Sequence, residues 1–193
     1  MRSWDAVPAR KLSASGDISA GFLALGIDDY RVAARFINQL PYGRNADRAN
    51  FRLVLAEGRG TCSTKHALLA ALAIEQGLAV QLTLGIFEMT ERNTPGVGAV
   101  LSRHGLAFVP EAHCYLVYSG VRIDVTRDSA AAQEPIARFL YEETIAPEQI
   151  GEYKVSMHKV WMRDWVAREM PRVEWEQVWK IREECIAALG APV

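Results

Sequence analysis

Cysteine is scarce in this chain: Cys62, Cys114 and Cys185 are the only three among 193 residues. An odd number at wide spacings implies no disulfide framework, and a reducing, cytoplasmic setting is expected, where a thiol is free to react. No C-x-x-C or H-x-x-x-H spacing occurs, so no metal is expected. No stretch approaches the roughly 18 apolar residues that a membrane span needs, and "MRSWDAVPARKLSASGD" lacks the apolar centre of a secretory signal. Charge of one sign is missing too. The net value is -1, with acids and bases spread throughout, so neither nucleic acid nor an anionic membrane is an expected partner. Internal repeats and low-complexity runs are also absent.

What is present suits an ordinary globular protein, with 50% hydrophobic residues in a length that fits one domain, residues 1–193. "DDYRVAARFINQL" reads as a helix capped by Asp28 or Asp29, with Val32, Phe36 and Leu40 four apart on one face. "NADRANFRLVLAEGRG" reads as a shorter helix entered through Asn45 or Asp47 and stopped at Gly58. From Ala67 to Ile74 every residue is apolar, the mark of a helix buried on most sides. Gly77 ends that helix, and "LAVQLTLGIFEM" follows with the alternation of a strand. "TERNTPGVGAVLSRHGLAFVPE" reads as a long connection over a site. "HCYLVYSGVRIDVT" reads as a hairpin, after which the chain turns helical. Trp161 to Trp179, and Cys185 beyond them, are read as core. A helix, then strands, then more helix gives an α+β class.

The seam "GRGTCSTKHALLAALA" places Cys62 at the start of the buried helix, with Thr61 as its cap. Unpaired N–H groups and the helix dipole favour an anion there, and a thiolate is such an anion. Gly58 and Gly60 are expected to let the backbone turn and to leave room for a substrate carbonyl near the Cys62 amide. The bland alternative is a small buried hydrophobe, as most free cysteines are.

A thiol nucleophile needs a base and a group to orient it. In the hairpin, a two-residue Ser119–Gly120 loop sets Tyr118 opposite Val121, and therefore Asp124 opposite Tyr115 and diagonal to His113. Alternation then puts His113, Tyr115 and Asp124 on one face, with Cys114 and Leu116 on the other. His66 is the rival base, because it lies one helical turn beyond Cys62 and leans back toward it. With Cys62 it would otherwise be half of a metal site, or a hydrogen-bonded residue walling the pocket.

Together, "GRGTCSTKHALLAALAIEQGL" and "AHCYLVYSGVRIDVT" resemble the transglutaminase-like superfamily, a branch of the papain-like cysteine enzymes. The resemblance covers roughly residues 30–127. It implies a cysteine-bearing core helix packed on an antiparallel sheet with flanking helices, the core being about 28–127 and the C-terminal helical part 128–193. It also implies Cys62 as nucleophile, His113 as base and Asp124 as the orienting acid. Two departures stand out. Tyr115 occupies a position where the family often has Trp, and the interval from His113 to Asp124 is short. A eukaryotic-type protein cross-linking enzyme is therefore not expected. For the side-chain half of an oxyanion hole, Asn38, Gln39 and Asn45 each carry an amide N–H, beside the Cys62 backbone N–H.

The expected chemistry is thiol-dependent acyl transfer or amide hydrolysis on a peptide or small amide or acyl substrate, without a cofactor. Two alternatives stay open. One is a binding or scaffold module with an idle triad. The other is a small-molecule acyltransferase using a thioester donor such as coenzyme A.

Overall fold

A computed structural model describes residues 3–127 and 134–189. Among these are seven α-helices and a four-stranded antiparallel sheet, a mixed α+β arrangement. The sheet order is β3-β2-β1-β4, with β1 Gln81–Met89, β2 Val109–Tyr118, β3 Val121–Ile123 and β4 Tyr141–Ile145. No helix among the described residues is long and apolar enough to cross a membrane. The chain divides into two compact units, whose boundary falls within β1, β2 and β4.

The first unit comprises Met1–Leu84, Cys114–Asp128 and Glu143–Gly151. It holds α1 Asp17–Ala24, α2 Tyr30–Gln39, α3 Leu53–Glu57 and α4 Cys62–Glu75. Helix α4 is its axis, buried from Cys62 to Ala73 and touched by α1, α2, α3 and a 3-10 turn at Pro147–Ile150. Such all-round burial is what an uninterrupted apolar stretch demands. Tyr30 of α2 is buried against α4 and its hydroxyl donates to the Leu69 carbonyl at 2.9 Å. At the far end of α4, the Glu75 carboxylate accepts from Ile18 N–H at 3.0 Å and Ser19 N–H at 2.7 Å, capping α1. Burial would raise the Glu75 pKa, but the bonds from Ser19 and Ile18 hold it below the usual carboxylate value.

Asp29 caps α2 by accepting from Arg31 N–H and Val32 N–H, one of the two caps expected. The buried face, however, is Tyr30, Ala33, Ala34 and Ile37 and not Val32, Phe36 and Leu40, Val32 being exposed. The helix expected from Asn45 or Asp47 is shorter and starts only at Leu53. Asp47 instead accepts from Ala49 N–H at 2.8 Å and Asn50 from Arg52 N–H at 3.1 Å. These side chains make Asx turns, which compete with helix for the same backbone donors.

The second unit comprises Gly85–His113, Ser129–Glu142 and Glu152–Val193. It contains α5 Gly98–Arg103, α6 Glu152–Glu169 and α7 Trp175–Leu189. Phe87, Met89, Val109, Leu101, Met162 and Ile181 belong to its apolar core, with Trp165, Trp175 and Trp179 packed against it and Cys185 fully buried. The connection read as a loop over a site thus contains α5, which buries Val100 and Leu101. Strand β4 also lies in the stretch read as helical. It is five residues long, with only Ile145 buried, so it carries little alternation to detect.

Candidate active site

Cys62 is the first residue of α4 and is 8% exposed. Thr61 caps the helix in a reciprocal pair with Thr64. The firmer half is Thr61 N–H donating to Thr64 Oγ1 at 3.0 Å; the return bond, from Thr64 N–H to Thr61 Oγ1, is 3.5 Å. Asn45 Oδ1 accepts from the Thr64 hydroxyl at 2.8 Å. Its Nδ2 donates to Glu57 Oε2 and to the Arg59 carbonyl, both at 3.0 Å. Asn45 therefore staples the loop before Cys62 to the first turn of the helix.

Gly58 has φ +62°, the left-handed conformation of a helix C-cap, and a Cβ there would meet nothing within 4 Å. Gly60 differs. A Cβ on it would come within 2.9 Å of Thr64 Oγ1 and 3.0 Å of both Lys65 Cγ and Val54 Cγ2. The backbone at Gly60 is thus pressed onto α3 and α4. Packing, rather than space for a substrate carbonyl, accounts for this glycine.

His66 is fully buried one turn further on. Its Nε2 accepts from Val125 N–H at 2.8 Å and its Nδ1 lies 2.7 Å from the Cys62 carbonyl oxygen. A backbone N–H can only donate, so Nε2 holds the lone pair and Nδ1 holds the proton. Both ring nitrogens are committed to backbone. The imidazole ties the first turn of α4 to the residue after Asp124.

The hairpin forms with the expected register: Tyr118 faces Val121, Val117 faces Arg122 and Leu116 faces Ile123. Ser119 and Gly120 take φ of 49° and 77°, as a type I′ turn requires. The ladder stops there, so Asp124 begins a turn instead of pairing with Tyr115 as expected. Its Oδ1 accepts from Thr126 N–H at 2.8 Å, an Asx turn that ends the strand. The same oxygen lies 3.6 Å from His66 Nε2, beyond hydrogen-bond length. The Asp124 side chain is 42% exposed. Tyr115 is buried on β2, with the Arg122 guanidinium 6.0 Å from its ring centroid.

Asn38 is buried near the end of α2, and its Nδ2 donates to the Arg127 carbonyl at 3.0 Å. Gln39, next along, is exposed. His113 is the last residue of the second unit's β2 segment. It is buried there, its ring edge-on to Phe87 with centroids 5.8 Å apart. Within the first unit, then, Cys62, His66 and the turn carrying Asp124 are joined by direct hydrogen bonds, Asn45 is bonded to Thr64 of the same helical turn, and Asn38 holds the end of the Asp124 turn.

One residue in this cluster had no expected role. Lys65 is fully buried, and its Nζ donates to the carbonyls of Leu40 at 2.5 Å and Thr126 at 2.9 Å. Burial and the Arg127 charge push its pKa down to about 8, while Asp124 and Cys62 pull it back up. Arg127 itself lies over the Tyr42 ring, 4.0 Å from the centroid. A signal for Lys65 was available: a cation in the first turn of an apolar helix opposes the helix dipole, so it needs another reason to be there.

No family model, curated protein or solved structure matches the chain. Functional reading therefore rests on the site itself. Among the described residues, no three His, Cys, Asp or Glu side chains are grouped to hold a metal ion.

Proposed function

We propose that this protein is a thiol-dependent acyl-transfer enzyme, a peptidase or amidase of transglutaminase-like, papain-like type. The observation that carries the reading is the placement of Cys62 as the first residue of a capped, buried helix. Its first turn is tied through His66 to the turn bearing Asp124. A packing cysteine has no reason to occupy the one end of a helix that favours a thiolate.

In this reading His113 takes the thiol proton and the sulfur adds to the substrate carbonyl carbon. The Cys62 backbone N–H donates to the developing oxyanion. The imidazolium then protonates the departing amine as the C–N bond breaks, leaving a thioester. Water or a second amine resolves it, returning the proton through the imidazole. Asp124 is assigned to orient that ring. His66 is excluded as base because using its Nε2 would break the bond from Val125 and charge a fully buried ring.

Alkylation tests the assignment, with the other cysteines as internal controls. Cys114 is fully buried, and burial pushes the Cys185 thiol up to about 11. Iodoacetamide at pH 6 to 7, followed by mass mapping, should modify Cys62 first, by about an order of magnitude or more. His113→Ala should raise the pH at which Cys62 reacts, and His66→Ala should not. Equal labelling of all three thiols, or none without denaturant, identifies Cys62 as a packing residue and favours a scaffold module.

A further inference from the structure

We propose that Lys65, three residues beyond Cys62 on α4, is a positioning residue whose buried ammonium supports the Cys62 thiolate independently of the histidine. The inference rests on the reading of Cys62 as nucleophile and adds a second, buried source of its activation.

Four observations converge. Lys65 is fully buried, and its ammonium makes two hydrogen bonds, both to backbone carbonyls. Among the described residues it makes no ion pair. An ammonium held only by neutral carbonyls is costly to bury, and a methionine would fill the same volume without that cost. Second, its stem is walled: Gly60 presses on Lys65 Cγ so closely that a Cβ there would stand 3.0 Å away. The carbonyls of Leu40 and Thr126 fix the other end. The charge therefore cannot swing to solvent, as surface lysines do.

Third, Lys65 is three residues beyond Cys62 on the same helix, a spacing that puts both side chains on one face. Fourth, the ionic groups acting on the ammonium are Arg127, which opposes its charge, and Asp124 and Cys62, which favour it. That coupling is reciprocal. Whatever an ionised Cys62 adds to the stability of the ammonium, the ammonium adds to the stability of the thiolate. Its two carbonyl anchors, at the end of α2 and just after Asp124, also hold the turn bearing Asp124 to the start of α4. Lysine at this position thus serves geometry and charge together, whereas a neutral replacement keeps at most the packing.

The test compares two alkylating reagents on the full chain, one neutral (iodoacetamide) and one anionic (iodoacetate). A positive charge beside the sulfur favours the anionic reagent, which a merely structural role would not do. Lys65→Met should raise the pH midpoint of Cys62 alkylation by about one unit and cut the iodoacetate-to-iodoacetamide rate ratio roughly threefold or more. Both effects should persist when His113 is already Ala. An unchanged midpoint and ratio in a Lys65→Met protein with native circular dichroism overturns the inference while leaving Cys62 as nucleophile.

If Lys65→Met does not fold, the measurement moves to His113→Ala with Lys65 intact. There the reagent ratio should fall as pH rises through about 8 and the ammonium discharges; a flat ratio overturns the inference. Cys62 that reacts with neither reagent at any pH overturns both this inference and the reading it rests on.

Discussion

Two glycines two residues apart, one exposed and one buried, show how differently the same residue is justified. Gly58 is chosen for its φ of +62°, with open space where a side chain would go, whereas Gly60 is chosen for closeness to Thr64, Lys65 and Val54. The two should answer differently to alanine. Gly58→Ala accepts left-handed strain of about 1–2 kcal/mol and leaves the site intact. Gly60→Ala must displace the Lys65 stem and the Thr64 hydroxyl, costing about 1–3 kcal/mol as overpacking does. Because those groups hold the Cys62 turn, Gly60→Ala should also slow alkylation of Cys62. Urea denaturation gives the first pair of values and iodoacetamide kinetics the second. Equal kinetics in the two variants would show that Gly60 packing does not reach the thiol.

At the scale of elements, the hairpin is governed by its turn. Ser119 takes φ 49°, a conformation that asparagine adopts far more readily, and it sits in the first central position of a type I′ turn before Gly120. Ser119→Asn should therefore stabilise the protein by up to about 1 kcal/mol without altering the register of Leu116 with Ile123. A rise in thermal midpoint is the expected result; a fall would mean that the turn is not type I′ in solution. Helix α4 depends on its two ends instead. Thr61 and Thr64 close one, and Gly77, at φ +63°, lets Leu78 N–H reach back to the Ala73 carbonyl at the other.

At the scale of the whole molecule, acid should be the most informative stress. In the second unit, His158 is 1% exposed, its Nε2 3.1 Å from the Pro110 carbonyl and its ring 5.0 Å from that of Trp179. Burial first, then the Arg182 and Lys154 charges, push its pKa from 6.5 to about 4, against the opposing pull of Glu111. The unfolded chain takes up this proton at a higher pH than the folded one. Its contribution to stability is thus complete above pH 6.5 and is lost as pH falls toward 4. The difference amounts to about 3 kcal/mol. Beside it, Arg182 donates to both oxygens of buried Glu111, at 2.5 and 2.7 Å. Burial would raise the Glu111 pKa, but Arg182 above all, with the Lys154 charge, keeps it below the ordinary value. Its contribution is complete above its ordinary pKa and is lost in the same direction, as pH falls. Urea midpoints measured from pH 7 to 4 should fall, and His158→Gln should flatten the upper part of that fall. A midpoint unchanged between pH 7 and 5 would show that His158 is protonated in the folded chain.

Local patterns were enough to read α2 with its Asp29 cap, the start and stop of α4, strand β1 and the register of the β2–β3 hairpin. Each depends on residues within a few positions of one another: a capping hydroxyl, an unbroken apolar run, a glycine, a two-residue turn. Where several side chains compete for one backbone donor, the pattern misled. Asp47 and Asn50 took the N–H groups that a longer α3 would have needed. Strand β4 is defined by its neighbour β1, which is distant in sequence, so nothing local announces it. The seam at Cys62 was legible because helix ends have chemical character of their own. A hydrogen-bonded His66 was among the readings, but its partners were not legible, nor were the roles of Asn45 and Lys65. They are set by which carbonyl or N–H lies within 3 Å, at Val125, Arg59, Leu40 and Thr126. Only folding brings those backbone groups to the helix, because a hydrogen bond is decided by tenths of an ångström and by direction, neither of which a sequence spacing conveys.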